Sequence, residues 1–309
     1  MRINLGGKTP RHISAREAAA LVQSGDWLEF GTTVNQPDMF DAALAARAAE
    51  LHDVKIRSCI SVRPRAVLEA DPDGAHFQWL SWHFSAYDRR KHDAGISHYS
   101  PCNLGEVPRY YRENLPPIDL VVLKTRPMDA NGLFNFSVMN GWNRAVVERA
   151  RKVLVEVNPH LPEVFGDSVG VHAGEVDFVI EGDGRPTPEL PNTPPSEVDR
   201  AVGRLIVAQI EDGACLQIGI GAMPNAVCAR LIDSPVRDLG VHSEMVMEGL
   251  LPLYRAGRLE GRRKTLYPGK IVYTFALGSA ELYAAIHRNP DFREELSREA
   301  RATGMMPRL

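Results

Sequence analysis

The residues best suited to chemistry lie between Asp212 and Gly249. A short apolar run, Cys215-Leu216-Gln217-Ile218, reads as a strand. Gly219-Ile220-Gly221-Ala222-Met223-Pro224-Asn225-Ala226 follows it, and a helical pattern then reaches Ile232. A glycine pair between strand and helix leaves backbone N–H groups free beside a helix N-terminus, where anions and oxyanions are favoured. Pro224 fits the first helical turn, which needs no N–H there. The dinucleotide fingerprint would want glycine at the position of Pro224, so that motif is not matched. A plain strand-to-helix turn explains the spacing equally well. A second unit reads Asp238-Leu239-Gly240-Val241-His242-Ser243-Glu244-Met245. Leu239–Val241 is a brief strand, and carboxyl ends of parallel strands line the cleft of an open α/β sheet. Glu244 therefore sits where a carboxylate can act on a ligand, although most single glutamates are solvated surface. His242 shares its face if the strand continues; such a histidine is more often a structural hydrogen-bonding residue.

Short apolar runs alternate with helical stretches along the whole chain, which argues for an α/β architecture with mainly parallel sheets. Ser14-Ala15-Arg16-Glu17 is a capping box whose helix should end near Gly25. Trp27–Phe30 reads as a strand broken by Gly31, and Pro37 opens a helix running to about Leu51. Val54–Ile60 alternates with period two, like a half-buried strand. Ile118–Leu123 and Val153–Val157 are near-continuous apolar runs, the pattern of buried parallel strands, with helical spacing from Trp142 to Arg151 between them.

Gly182–Pro195 holds five prolines and two glycines, so it is neither a helix nor a central strand. It reads as a linker, and the expected organisation is a domain over 1–185, a linker over 186–195 and a second domain over 196–309. Ser196 caps a helix running to about Ile210, which opens a second α/β unit. No short-period repeat is evident; two halves of similar type stay open.

The 309 residues are 44% apolar and 24% charged, an ordinary globular balance, with a net charge of −3. That charge supplies no basic field for nucleic acid or an anionic membrane. Arg89-Arg90-Lys91 and Arg262-Arg263-Lys264 read as solvated surface. No apolar run approaches the roughly 18 residues of a membrane span, and the N-terminus lacks a signal core. The expected address is the cytoplasm. Cys59, Cys102, Cys215 and Cys228 are widely spaced, so reduced thiols are expected and no metal site.

Several segments together resemble one family. They are Gly219–Val227, Leu239–Met245 and Gly278-Ser279-Ala280-Glu281-Leu282-Tyr283, in that order. Ser24-Gly25-Asp26, Glu156-Val157-Asn158-Pro159 and Phe165-Gly166-Asp167-Ser168 add to them, as does the turn Pro127–Gly132. They are similar to the acetyl-CoA hydrolase/transferase family, class I CoA-transferases that include 4-hydroxybutyrate CoA-transferases. The resemblance implies a two-domain α/β fold and a function: moving CoA between a short-chain acyl-CoA and a carboxylic acid. It makes Glu244 the nucleophile, passing through a glutamyl-CoA thioester. Gly219, Gly221, Ala222, Met223 and Pro224 become the oxyanion and CoA-binding turn. His242 and Ser243, and Asn35 and Gln36 from the polar loop Gly31–Pro37, become pocket candidates. Trp82-His83-Phe84-Ser85 and Ser97-His98-Tyr99 are core before they are pocket. The same site becomes an acyl-CoA hydrolase if water replaces the acceptor acid. Acyl-CoA and a short carboxylic acid are the expected ligands, with CoA as substrate and no tightly bound cofactor.

The resemblance fails toward the C-terminus. The family's later glycine-rich segment has no counterpart, and Asp291–Ala300 reads as a charged helix like the one that closes the family's chains. The second domain is therefore expected to be partial. An exposed sheet edge would then call for a homo-oligomer or a partner subunit. A degenerate, non-catalytic member is the alternative.

Overall fold

The computed structural model describes residues 8–295. The chain falls into two compact units. The first comprises residues up to Leu161 with Gly170–Pro188, and the second comprises Pro162–Val169 with the chain from Glu189 onward. Nothing in the composition of residues 162–169 marks that excursion.

The first unit holds an eight-stranded sheet. Its strands are β1 (Arg11–His12), β2 (Trp27–Thr32), β3 (Val54–Cys59), β4 (Phe77–Ser81), β5 (Ser97–Tyr99), β6 (Ile118–Thr125), β8 (Ala150–Val157) and β10 (Phe178–Glu181). A separate antiparallel pair is formed by β7 (Leu133–Asn135) and β9 (Gly170–His172). The order in the large sheet is β1-β10-β8-β6-β2-β3-β4-β5, parallel throughout. Helices α1 (Ala15–Ala19), α2 (Met39–Ala45), α3 (Ala66–Ala70), α4 (Ala86–Asp93), α5 (Val107–Glu113) and α6 (Asn143–Arg149) connect the strands. Crossovers cover both faces of a parallel sheet, so its strands are buried on both sides. Two apolar clusters follow. One joins Leu28, Phe30, Ile56, Trp79 and Leu120, and the other joins Val121, Leu123, Val146, Val153 and Val155.

This explains a correction. β3 is not half-buried: every residue of it but the partly exposed Lys55 is buried, Arg57 and Ser58 included, because β2 and β4 flank it and helices cover it. α1 also stops early, at Ala19. The side chain of Asp26 accepts the N–H of Gln23 at 2.9 Å, and the N–H groups of Leu21 and Val22 bond three residues back. Turn chemistry at Ser24-Gly25-Asp26 thus competes with the helix. The helix expected from Pro37 to Leu51 is split into α2 and one short turn at Ala48–Glu50.

In the second unit, β11 (Cys215–Leu216), β12 (Gly240–His242), β14 (Ile271–Tyr273) and β16 (Phe292–Glu294) form a parallel sheet in that order. A short parallel pair, β13 (Met245–Val246) and β15 (Phe275–Ala276), continues the β12–β14 direction. The helices are α7 (Glu197–Val207), α8 (Ala222–Ile232), α9 (Leu250–Arg255) and α10 (Ala280–Ile286). Ser196 and Asp199 close a capping box on α7, worth about 1 kcal/mol. The helix expected over Asp291–Ala300 begins as strand β16 instead. Phe292 is buried there, its ring 5.0 Å from that of Tyr254, and pairing with β14 overrides the local charge pattern. Residues 296–300 of that stretch lie outside the described residues. No described helix is long and apolar enough to cross a membrane.

Candidate active site

The site is built where β11 and β12 end. Past Leu216 and His242 the two chains no longer bond backbone to backbone; side chains bridge them. Ser243, fully buried, accepts the N–H of Ile218 through Oγ at 3.2 Å and donates the same hydroxyl to the Ile218 carbonyl at 3.1 Å. The Glu244 N–H donates to Oε1 of Gln217 at 3.0 Å. On the other side the Glu244 carbonyl accepts the N–H groups of Thr274 and Phe275 at 3.0 and 3.2 Å. The ladder between β12 and β14 stops just before Glu244 and resumes as β13–β15 just after it. Glu244 thus occupies the break with its main chain held on both sides, and the residue is only partly buried. A break at the carboxyl ends of parallel strands is where open α/β sheets receive ligands.

The glycine turn leaves β11 next to this break. Gly221 caps α8 with φ +124° and ψ 176°, and no side chain caps it. That conformation is essentially confined to glycine. A methyl at Gly219 would meet no atom within 4 Å, so the turn faces open space. Pro224 falls in the first turn of α8, as the sequence implied. The N–H groups of Ala222 and Met223 belong to the turn whose donors have no intrahelical partner, and the helix dipole favours negative charge there.

A small cleft of about 130 Å³ opens beside this turn, lined by Gly221, Asn225, Met247, Glu248, Leu277 and the segment Leu190–Thr193 among others. The Glu248 carboxylate accepts both the N–H and the hydroxyl of Ser279 at 3.0 Å, which fixes the start of α10. Asn225 donates to Oδ1 of Asn192 at 2.7 Å. The structure thus brings Gly219, Gly221, Ala222, Met223, Pro224, Ser243 and Glu244 into one neighbourhood.

His242 is placed differently. It is buried, and burial with the nearby Lys264 charge pushes its pKa down to about 4, so it is neutral at pH 7. Lys264 is itself buried and donates to the carbonyls of Val241 and Lys270. Its pKa is brought down to about 8 by burial. Both residues are thus part of the buried packing around β12.

Asn35 and Gln36 belong to the first unit. Both are buried at the carboxyl ends of its strands. Asn35 donates to the carbonyls of Lys124 and Phe136, both at 2.7 Å, and so clamps its loop. Gln36 donates to Ser58 Oγ at 2.6 Å, while its Oε1 is buried without a partner. Nearby, the Glu156 carboxylate accepts the N–H groups of Asp38, Met39 and Phe40 at 2.9–3.0 Å, at the start of α2. Burial opposes the charge on Asp38, yet Lys124, Arg65 and Arg63 hold its pKa at about 2. Trp82 donates to Tyr111 Oη at 3.0 Å, a core contact. The sequence reading missed Gln217 as an anchor. No local motif marks it; only its place two residues before Gly219 does.

The acetyl-CoA hydrolase/transferase N-terminal domain family matches residues 9–191. The butyryl-CoA:acetate CoA-transferase of Anaerostipes caccae is 40% identical over 280 residues, covering 90% of this chain and 63% of that protein. The 4-hydroxybutyrate coenzyme A transferase of Clostridium kluyveri is 36% identical, covering 90% of this chain and 64% of that protein. This chain therefore spans somewhat under two thirds of the curated relatives it matches. Among solved structures, RipA from Yersinia pestis superposes with a TM-score of 0.86 at 29% identity, over 94% of this chain and 69% of that one. With more than half of its length matched by the family model, the chain belongs to the acetyl-CoA hydrolase/transferase family.

Proposed function

We propose that the protein is an acyl-CoA:carboxylate CoA-transferase of the cytoplasm with Glu244 as its nucleophile. The observation that carries the reading is the placement of Glu244 at the ladder break, its main chain fixed by Gln217, Thr274 and Phe275, beside the uncapped N-terminus of α8. The relatives' names, butyryl-CoA:acetate and 4-hydroxybutyrate CoA-transferase, support the substrate class: a short-chain acyl-CoA and a short carboxylic acid.

The steps follow from what a carboxylate can do. Glu244 attacks the thioester carbonyl, giving an acyl-glutamyl anhydride and CoA thiolate. The thiolate attacks the glutamyl carbonyl of the anhydride and expels the first acid as carboxylate. The resulting glutamyl-CoA thioester is attacked by the acceptor carboxylate, and the steps reverse to release the new acyl-CoA. Covalent catalysis divides the exchange into easier steps. Each tetrahedral intermediate carries an oxyanion, and the N–H groups of the Gly219–Met223 turn are the donors assigned to it. CoA enters as substrate; no resident cofactor takes part in these steps.

The test is exchange. Acetyl-CoA incubated with isotopically labelled acetate should return labelled acetyl-CoA, with little free CoA. Release of CoA without label exchange would make the protein a hydrolase. The rival outcome is a non-catalytic member that keeps the fold. Absence of both exchange and release, with no acetyl-CoA binding by calorimetry, would establish that one.

A further inference from the structure

The break at Glu244 runs through two strands. Ser243 and Glu244 lie in the gap between β12 and β13, and Thr274 lies in the gap between β14 and β15. The pairing keeps one register across both gaps. His242 is opposite Val272 before them, and Met245 is opposite Phe275 after them. Thr274 is therefore the cross-strand neighbour of Glu244, and adjacent strands lie about 4.8 Å apart. The main chains agree, since the Thr274 N–H donates to the Glu244 carbonyl at 3.0 Å. In the sheet β12 runs between β11 and β14. The glycine turn that follows β11 and the threonine that follows β14 thus flank the end of β12 from opposite sides.

Thr274 is 1% exposed, and its Oγ1 has no hydrogen-bond partner among the described residues. The other polar side chains at the break are engaged. Ser243 bonds both backbone groups of Ile218, and Gln217 holds the Glu244 N–H. The hydroxyl of the adjacent Tyr273 is also buried without a partner among the described residues. Its ring packs on Phe292 of β16, with centroids 6.5 Å apart. Successive strand residues point to opposite faces, so the Thr274 hydroxyl stands apart from that contact. A buried hydroxyl with no partner costs stability that an apolar group of the same shape does not. An acceptor that exists only during the reaction accounts for a hydroxyl kept in this state.

We propose that Thr274 is a catalytic residue whose hydroxyl donates to the oxygen of the Glu244 carbonyl while CoA thiolate adds to that carbonyl. The inference rests on Glu244 being the nucleophile. Two different carbons become tetrahedral in the exchange: the thioester carbonyl of the acyl-CoA, and then the side-chain carbonyl of Glu244 in the anhydride. The second oxyanion forms on the residue that Thr274 adjoins. In that step the sulfur–carbon bond forms and the carbonyl π pair moves onto oxygen. The pair then returns as the bond from the glutamyl carbon to the bridging oxygen breaks, and the first acid leaves as carboxylate with the bonding electrons. Charge appears and disappears on one oxygen, so the hydroxyl keeps its proton. A fixed donor placed where charge develops stabilises the transition state more than the ground state.

The experiment compares acetate exchange into acetyl-CoA, thermal unfolding and CoA binding by calorimetry in the parent, Thr274→Val and Thr274→Ser. Thr274→Val keeps the side-chain shape and removes the hydroxyl. It should lower kcat for exchange about 100-fold, with CoA affinity unchanged and a melting temperature equal to or above the parent's. Thr274→Ser restores the hydroxyl and should restore most of the exchange. Thr274→Val exchanging as fast as the parent overturns the proposal. So does Thr274→Ser as impaired as Thr274→Val, which would make the role one of packing, and so does a loss of exchange that tracks lower melting or weaker CoA binding. A parent that exchanges no label overturns the nucleophile reading and this one together. A parent that exchanges, with Glu244→Gln inactive and Thr274→Val unimpaired, overturns this one alone.

Discussion

The backbone N–H of Glu244 hangs from the side-chain carbonyl of Gln217 across a 3.0 Å hydrogen bond. The main chain at the proposed nucleophile is therefore oriented by a side chain from the neighbouring strand, where a ladder bond would normally run. Gln217→Ala removes that anchor. One such hydrogen bond contributes about 1 kcal/mol, so turnover should fall roughly five- to tenfold. Gln217 is exposed, so the melting temperature should barely move. Steady-state kinetics with parallel calorimetry checks this; a large loss of stability with normal turnover would refute the anchoring role.

Ser243 makes the matching contact one residue earlier, and it is buried. Ser243→Ala leaves the Ile218 N–H and carbonyl without their partner. The expected cost is about 1–3 kcal/mol, read as a lower urea midpoint at constant slope. A neutral result would mean that water takes the hydroxyl's place.

The two turn glycines should respond in opposite ways. Gly221 has φ +124°, so Gly221→Ala should lose roughly 1–3 kcal/mol of stability. Gly219→Ala adds a methyl that meets nothing within 4 Å. It should leave stability within about 0.5 kcal/mol while lowering kcat/KM by crowding the N–H groups proposed as oxyanion donors. Equal stability losses in both variants would contradict this.

Glu29 offers a pH test in the first unit. Burial pushes its carboxyl from 4.5 to about 8, against a Tyr111 hydrogen bond and the Arg57 charge, and its Oε1 is buried without a partner. Between those values the folded chain holds a proton that the unfolded chain has released. The stabilisation is therefore full below pH 4.5 and lost as pH rises through 8. Glu29→Gln should gain stability relative to the parent as pH climbs from 5 to 8. Urea titrations at several pH values check it; a difference that does not change with pH would contradict it.

Much of this was legible in the residues. The runs at Ile118 and Val153 became the buried strands β6 and β8, and the Gly182–Pro195 stretch carries no helix or strand. Ser196 capped α7 where its Asp199 partner implied. The failures share a physical cause, since tertiary pairing is invisible locally. Arg57 reads as a surface residue until two strands flank it, and Phe292-Arg293-Glu294 reads as helix until β14 pairs with it. Gln217 escaped for a related reason: its function exists only through Glu244, 27 residues away.

The central claim concerns the Glu244 carboxylate. The most direct measurement is to incubate the protein with acetyl-CoA, reduce with borohydride and map the peptides by mass spectrometry. A glutamyl-CoA thioester predicts reduction of Glu244 to the corresponding alcohol, found only when acetyl-CoA was present and absent in Glu244→Gln. An unmodified Glu244 in a preparation that exchanges acetate, or exchange undiminished in Glu244→Ala, would contradict the assignment.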